Sequence, residues 1–177
     1  MLIDLTYRCN MGCNHCMSDC KPNGTDMTPE ILKDVLAFCK KNEVPNLIFS
    51  GGEMFENPHI LELLKIIEKE WDKRFPLSFI TNGRKLADTP DIFEAVQDMQ
   101  KKYGKKKIMI QVTDDPRFYP QPLSEKQKYR LKKLDAVIEG VPGNGNKCLY
   151  PQGRTLENFD DSWWNTIAPK CVNVRLL

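Results

Sequence analysis

The sequence lacks most of the features that mark a specialised class. No apolar stretch in its 177 residues approaches the roughly 20 that a membrane-spanning helix needs. The opening residues, Met1-Leu2-Ile3-Asp4-Leu5-Thr6-Tyr7-Arg8, do not follow the charged, apolar, then small-residue order of a secretory signal. An excess of one charge is missing too: 26 Lys and Arg against 24 Asp and Glu leave +2. That balance argues against a nucleic-acid or membrane-surface binder. There is no low-complexity segment, no Gly/Ser linker and no internal repeat beyond a strand–helix alternation. The expectation is a cytoplasmic protein with one domain over residues 1–177. Its composition, 41% hydrophobic and 28% charged, is ordinary for a globular chain. A chain of this length buries about 70% of its extended surface, enough for a core without covalent staples.

A disulfide framework is also absent. Such frameworks use an even cysteine count in a small secreted chain, whereas this chain has seven, at 9, 13, 16, 20, 39, 148 and 171. Four of them within twelve residues suggest a metal or redox cluster instead. Cys39 lies on the apolar stripe of an expected helix and reads as a buried small hydrophobe.

Residues 1–7 read as a strand that runs into the cysteine loop. Thr28-Pro29, Asn57-Pro58 and Thr89-Pro90 each resemble an N-cap followed by Pro at the first helical position. Apolar residues at helical spacing follow each of them. Leu47-Ile48-Phe49 is a continuous apolar run, the pattern of a strand buried on both faces. Further strands are expected at 77–80, 108–112, 136–138 and 171–177. Ser124 and Gln127 form a capping box for a helix through about Leu134. A Gly- and Asn-rich loop covers 140–146, and 155–168 reads as a broken helix around Trp163-Trp164. Strand and helix in alternation mean βαβ units and a parallel sheet, whose ligands gather at the carboxyl ends of the strands. The polar and glycine-rich residues follow the strands: the cysteine loop, Ser50-Gly51-Gly52-Glu53, Thr81-Asn82-Gly83 and Thr113-Asp114-Asp115.

The central motif is Cys9-x3-Cys13-x2-Cys16. Three thiolates this close can each take one iron of a single cubane, and Gly12 gives the loop its freedom. A 4Fe–4S cluster normally takes four cysteines; with three, one iron keeps an open position suited to binding a substrate. A structural zinc site is the alternative, although such sites generally pair two-residue-spaced cysteines with a distant second pair. His15, between two ligands, reads as a loop residue rather than a ligand, and Cys20 as an ordinary or partly exposed thiol.

In these three segments, Cys9-x3-Cys13-x2-Cys16, Ser50-Gly51-Gly52-Glu53 and Thr81-Asn82-Gly83, the chain resembles the radical S-adenosylmethionine (SAM) enzymes. The resemblance implies an α/β fold, a partial (β/α)6 parallel barrel, holding a SAM-chelated 4Fe–4S cluster at the strand carboxyl ends. Cys9, Cys13 and Cys16 look like the metal ligands. Gly51, Gly52 and Glu53 resemble the segment that receives the methionine ammonium of SAM, and a carboxylate suits that partner. Asn82 and Thr113 stand where the family places polar contacts to SAM. The implied activity is reductive SAM cleavage to a 5′-deoxyadenosyl radical that takes hydrogen from a substrate, a peptide or a small molecule. The electron would come from a donor such as flavodoxin or ferredoxin. Pro151-x-Gly153-Arg154 resembles the last barrel segment of relatives, peptide maturases among them, that carry auxiliary clusters in a C-terminal extension. Here no Cys-rich extension follows Leu177, so the chain reads as a minimal enzyme or as part of a longer one. The competing expectation is a non-catalytic iron–sulfur or zinc module, which has no need of a carboxylate such as Glu53 to receive an amine.

Overall fold

The computed structural model describes residues 1–141 and 148–164. Five strands form one sheet in sequence order: β1 (Leu2–Asp4), β2 (Leu47–Ser50), β3 (Leu77–Thr81), β4 (Ile108–Thr113) and β5 (Val137–Glu139). All four pairings are parallel, with Ile3 opposite Phe49, Phe49 opposite Phe79, and Phe79 opposite Ile110. The crossovers are α1 (Pro29–Lys41), α2 (Ile60–Glu70), the short α3 (Arg84–Asp88) with α4 (Pro90–Tyr103), and α5 (Glu125–Lys132). The expected α/β order is therefore present. The expected sixth strand, 171–177, and most of the 140–146 loop lie outside the described residues.

Burial alternates along the strands rather than running continuously. Leu47 and Phe49, Leu77 and Phe79, and Ile108 and Ile110 face the helices in one core with Leu32, Leu36, Leu63, Ile67 and Val96. The intervening Ile48 and Ser78 are only half-buried, and Met109 is exposed. The apolar run at 47–49 is thus buried on one face, because the helices pack against that side of the sheet. Cys39 sits in the same core at the end of α1, as its stripe position implied.

Local chemistry sets most of the helix starts. Thr28 caps α1 by accepting from the Ile31 N–H, with Pro29 as the first helical residue. The Ser124–Gln127 capping box is formed in full. Asn57 departs from its expected role. A 3-10 turn, Met54–Glu56, precedes it, and α2 begins only at Ile60. The buried Asn57 amide donates instead to the carbonyls of Leu5 (2.7 Å) and Met27 (3.0 Å), while its oxygen accepts from the His59 N–H at 2.8 Å. It joins the chain after β1, the chain before α1 and the start of α2.

The last described segment holds α6 (Thr155–Asn158) and a 3-10 turn at Asp161–Trp163. Trp163 and Trp164 pack on a small second cluster of Phe118, Cys148 and Leu149.

Candidate functional site

The cysteine loop is closed at its neck before it reaches the site. Tyr7 N–H donates to Thr25, Met27 N–H to Leu5, and Cys9 N–H to Lys21 at 2.8–3.0 Å. Beside this ladder Arg8 pairs with Asp26 at 2.7 Å, and the Thr6 hydroxyl donates to the same carboxylate at 2.6 Å. Inside the neck Gly12 takes φ +69° with open space around its α-carbon, the freedom that the motif required.

Gly51 and Gly52 answer to a different constraint from the one their sequence suggests. A Cβ on Gly51, at φ +138°, would run into the Thr6 carbonyl. A Cβ on Gly52 would stand 2.5 Å from the Arg8 carbonyl oxygen and 2.9 Å from the Cys9 Cβ. These glycines let the end of β2 lie directly against the neck of the cysteine loop. Gly52 N–H donates to Thr6 and Glu53 N–H to Arg8 across that contact, at 2.8 and 2.9 Å.

Glu53 turns inward beneath this contact and is 1% exposed. One carboxylate oxygen accepts from the Thr81 hydroxyl at 2.6 Å and the Phe55 N–H at 3.2 Å; the other accepts from the Asn82 N–H at 2.7 Å. It ties the carboxyl end of β2 to that of β3. Burial pushes its carboxyl up to about 7 despite those three donors.

These ends border an open cleft of about 200 Å³. Cys9, Cys13 and Cys16 line it, together with Gly51, Gly52, Asn82 and Thr113. Seven of the eight expected site residues therefore share one cleft, and Glu53 stands behind its wall. Cys20 lines the cleft too and is buried, contrary to its reading as an ordinary or partly exposed thiol. Its backbone N–H donates to the Cys16 sulfur at 3.3 Å. A sequence spacing of four, one helical turn, was the signal for that contact, but it carries no meaning until the loop is seen to turn. Tyr119, which sequence reasoning missed, and Arg154, expected only as part of the last barrel segment, also line the cleft wall.

The electrostatics separate the thiols. Burial raises Cys9 and takes Cys13 up to about 12. The hydrogen bond from the Cys20 side chain holds Cys16 down at about 5 and drives Cys20 up. Metal binding at Cys9 and Cys13 must therefore release protons. His15 is pushed down to about 4 by burial and so stays neutral at ordinary pH. Its ring lies 4.7 Å from Phe118 and 5.4 Å from Tyr119, and its buried Nδ1 has no partner among the described residues.

Three thiols on one cleft fit an iron–sulfur cubane, in which each thiolate meets a different iron. The unpartnered His15 nitrogen belongs to a residue that lines the same cleft.

The fold is a parallel α/β sheet with a three-cysteine loop and an open cleft at its carboxyl rim. The family profile described as the radical SAM superfamily matches residues 3–100, and the chain belongs to that family. The cofactors of that family are a 4Fe–4S cluster and SAM. In Bacillus subtilis (strain 168), YydG, a protein named for peptide biosynthesis, is 34% identical over 83 residues, 46% of this chain and 25% of YydG. AlbA of the same strain, named for biosynthesis of the antilisterial bacteriocin subtilosin, is 33% identical over 82 residues, 45% of this chain and 17% of AlbA. The crystal structure of Streptococcus suis SuiB bound to precursor peptide SuiA shares the fold with a TM-score of 0.61 at 16% identity. That match covers 81% of this chain and 33% of SuiB. The chain thus spans a third or less of each of these relatives. Among the described residues no helix is long and apolar enough to cross a membrane.

Proposed function

We propose that the chain carries the catalytic core of a peptide-modifying radical SAM enzyme, with Cys9, Cys13 and Cys16 as cluster ligands. The observation that carries the reading is the single cleft that three thiols share with the ends of β2, β3 and β4. When bound, the cluster and SAM together supply one-electron cleavage of a carbon–sulfur bond and a carbon-centred radical for hydrogen abstraction. The chain's own residues bind and orient. Gly51 and Gly52 offer backbone to the methionyl end of SAM, and Glu53 lies just behind them as a buried anion that favours a cation in front. Asn82 and Thr113, at the ends of β3 and β4, offer polar contacts in the same cleft. The aromatic rings of Phe118 and Tyr119 flank His15 beside the cleft. The peptide class of the substrate is supported by relatives named for peptide products and by a fold neighbour that holds a precursor peptide.

The test is anaerobic reconstitution with iron and sulfide, then SAM with excess dithionite, with 5′-deoxyadenosine quantified. A short peptide encoded beside this chain's reading frame is then added and its mass followed. Cleavage of SAM and a change in the peptide's mass are expected. A chain that holds its cluster but neither binds nor cleaves SAM is an electron-transfer module, and the proposal fails.

A further inference from the structure

The segment Gly153–Asn158 lies about 140 residues from the cysteine loop in sequence yet is bonded to it along its length. Arg154 donates from its backbone N–H to the Cys16 carbonyl at 3.0 Å. Its Nε donates to the Cys13 carbonyl at 3.1 Å and its Nη1 to the Cys20 carbonyl at 3.1 Å. The same Nη1 faces the Asp19 carboxylate at 3.3 Å. Gly153, at φ +59°, is pressed so closely on the Met17 carbonyl that a Cβ would overlap it. Asn158 adds a long bond to the Asn14 carbonyl at 3.5 Å. The guanidinium side chain is 20% exposed and lines the same cleft as the three thiols.

We propose that Arg154 is a positioning residue for the iron–sulfur loop. Its guanidinium fixes the loop through the Cys13 and Cys20 carbonyls and keeps a positive charge beside the cluster thiolates that favours the reduced cluster. The inference rests on the reading that Cys9, Cys13 and Cys16 hold a 4Fe–4S cluster. A planar guanidinium that spans two carbonyls orders the loop from one rigid side chain, which Lys does less well. A fixed positive charge in a partly buried wall favours the more negative redox state.

The experiment compares the full chain with Arg154→Ala and Arg154→Lys, first without a cluster and then reconstituted. In the cluster-free chain, amide hydrogen exchange over residues 10–20 should be about ten-fold faster in Arg154→Ala, with β3 and β4 unchanged, since charge-assisted bonds are lost. In the reconstituted chain, the reduced-to-oxidised ratio at a fixed potential should fall about ten-fold in Arg154→Ala, which is 59 mV for one electron. Arg154→Lys, which keeps the charge, should recover most of that ratio while exchange stays faster than wild type. Wild-type exchange together with a wild-type potential in a folded Arg154→Ala would overturn the proposal. If Arg154→Ala does not fold, a potential in Arg154→Lys far below wild type would overturn the charge effect. A wild-type chain that takes up no iron defeats the cluster reading itself, and exchange in the cluster-free variants then still decides the loop contact.

Discussion

The loops after β2 and β4 each bury one carboxylate and treat it in opposite ways. Glu53 is 1% exposed and Asp115 3%, and both accept from backbone N–H groups. Asp115 also meets the Arg117 guanidinium at 2.6 Å, and that hydrogen-bonded cation holds its carboxyl down at about 2. Glu53 has a hydroxyl and two peptide N–H groups, with no cation among its described hydrogen-bond partners, and burial takes it up to about 7. The loop after β4 supplies its own cation, whereas the loop after β2 places none on its carboxylate among the described residues. A buried anion left unpaired beside a ligand site is costly to folding and therefore informative about the ligand. Under the proposed function, SAM, which carries an ammonium and a sulfonium, supplies the charge that the β2 loop lacks.

The comparison is broken most forcefully by Glu53→Ala, which leaves the Thr81 hydroxyl and the N–H groups of Phe55 and Asn82 without their acceptor. At about 1–3 kcal/mol for each stranded buried donor, a loss of at least about 3 kcal/mol is expected in urea unfolding of the cluster-free chain. SAM affinity should fall about ten- to a hundred-fold as well. An unchanged SAM titration in a variant that keeps its iron would remove Glu53 from any part in SAM binding.

The next effect is a pH dependence with a definite sign. Glu53 holds its proton more tightly folded, at about 7, than at its ordinary value of 4.5. Its contribution is therefore whole below pH 4.5 and is lost as the pH rises through 7, by up to about 3 kcal/mol. The cluster-free chain should lose stability over that window, and Glu53→Gln should remove this part of the slope. SAM affinity should rise over the same window, because a bound cation favours the ionised carboxylate. Equal slopes in wild type and variant would contradict the assignment.

Arg117→Ala sharpens the contrast by making Asp115 resemble Glu53. Arg117 is partly exposed, so the stability lost should be modest, about 1–2 kcal/mol, while the Asp115 carboxyl moves up from about 2. NMR titration of that carboxyl reads the move, and an Asp115 that stays down without its arginine would refute the role given to the ion pair. Cys39→Ala is the smallest of the four. It should cost about 1 kcal/mol and leave iron content unchanged, whereas a large loss of iron would link that core thiol to the site.

What the sequence made legible was whatever depends on local periodicity and spacing. The alternation of apolar stripes and short runs yields the five described strands in order, and Thr28, Ser124 and Gln127 act as their local patterns imply. Five-residue α3 shows no readable period, so Arg84–Asp88 looks like loop until it is seen folded. Asn57 has the pattern of an N-cap, but a longer-range demand wins: two carbonyls 30 and 52 residues away need a buried donor. Gly51 and Gly52 announce close approach without saying to what; the approaching atoms belong to Thr6, Arg8 and Cys9. Pro151-x-Gly153-Arg154 stood out as a segment, but the bonds of Arg154 to Cys13 and Cys20, across more than 130 residues, could not be read from it.

The most direct test of the central claim is iron and sulfide content after anaerobic reconstitution, in the wild type and in a variant with Cys9, Cys13 and Cys16 all changed to Ala. The wild type should hold about four irons and four sulfides per chain, with visible absorption that bleaches under dithionite, and the triple variant none. A triple variant that retains full iron and sulfide would contradict the assignment of these three thiols.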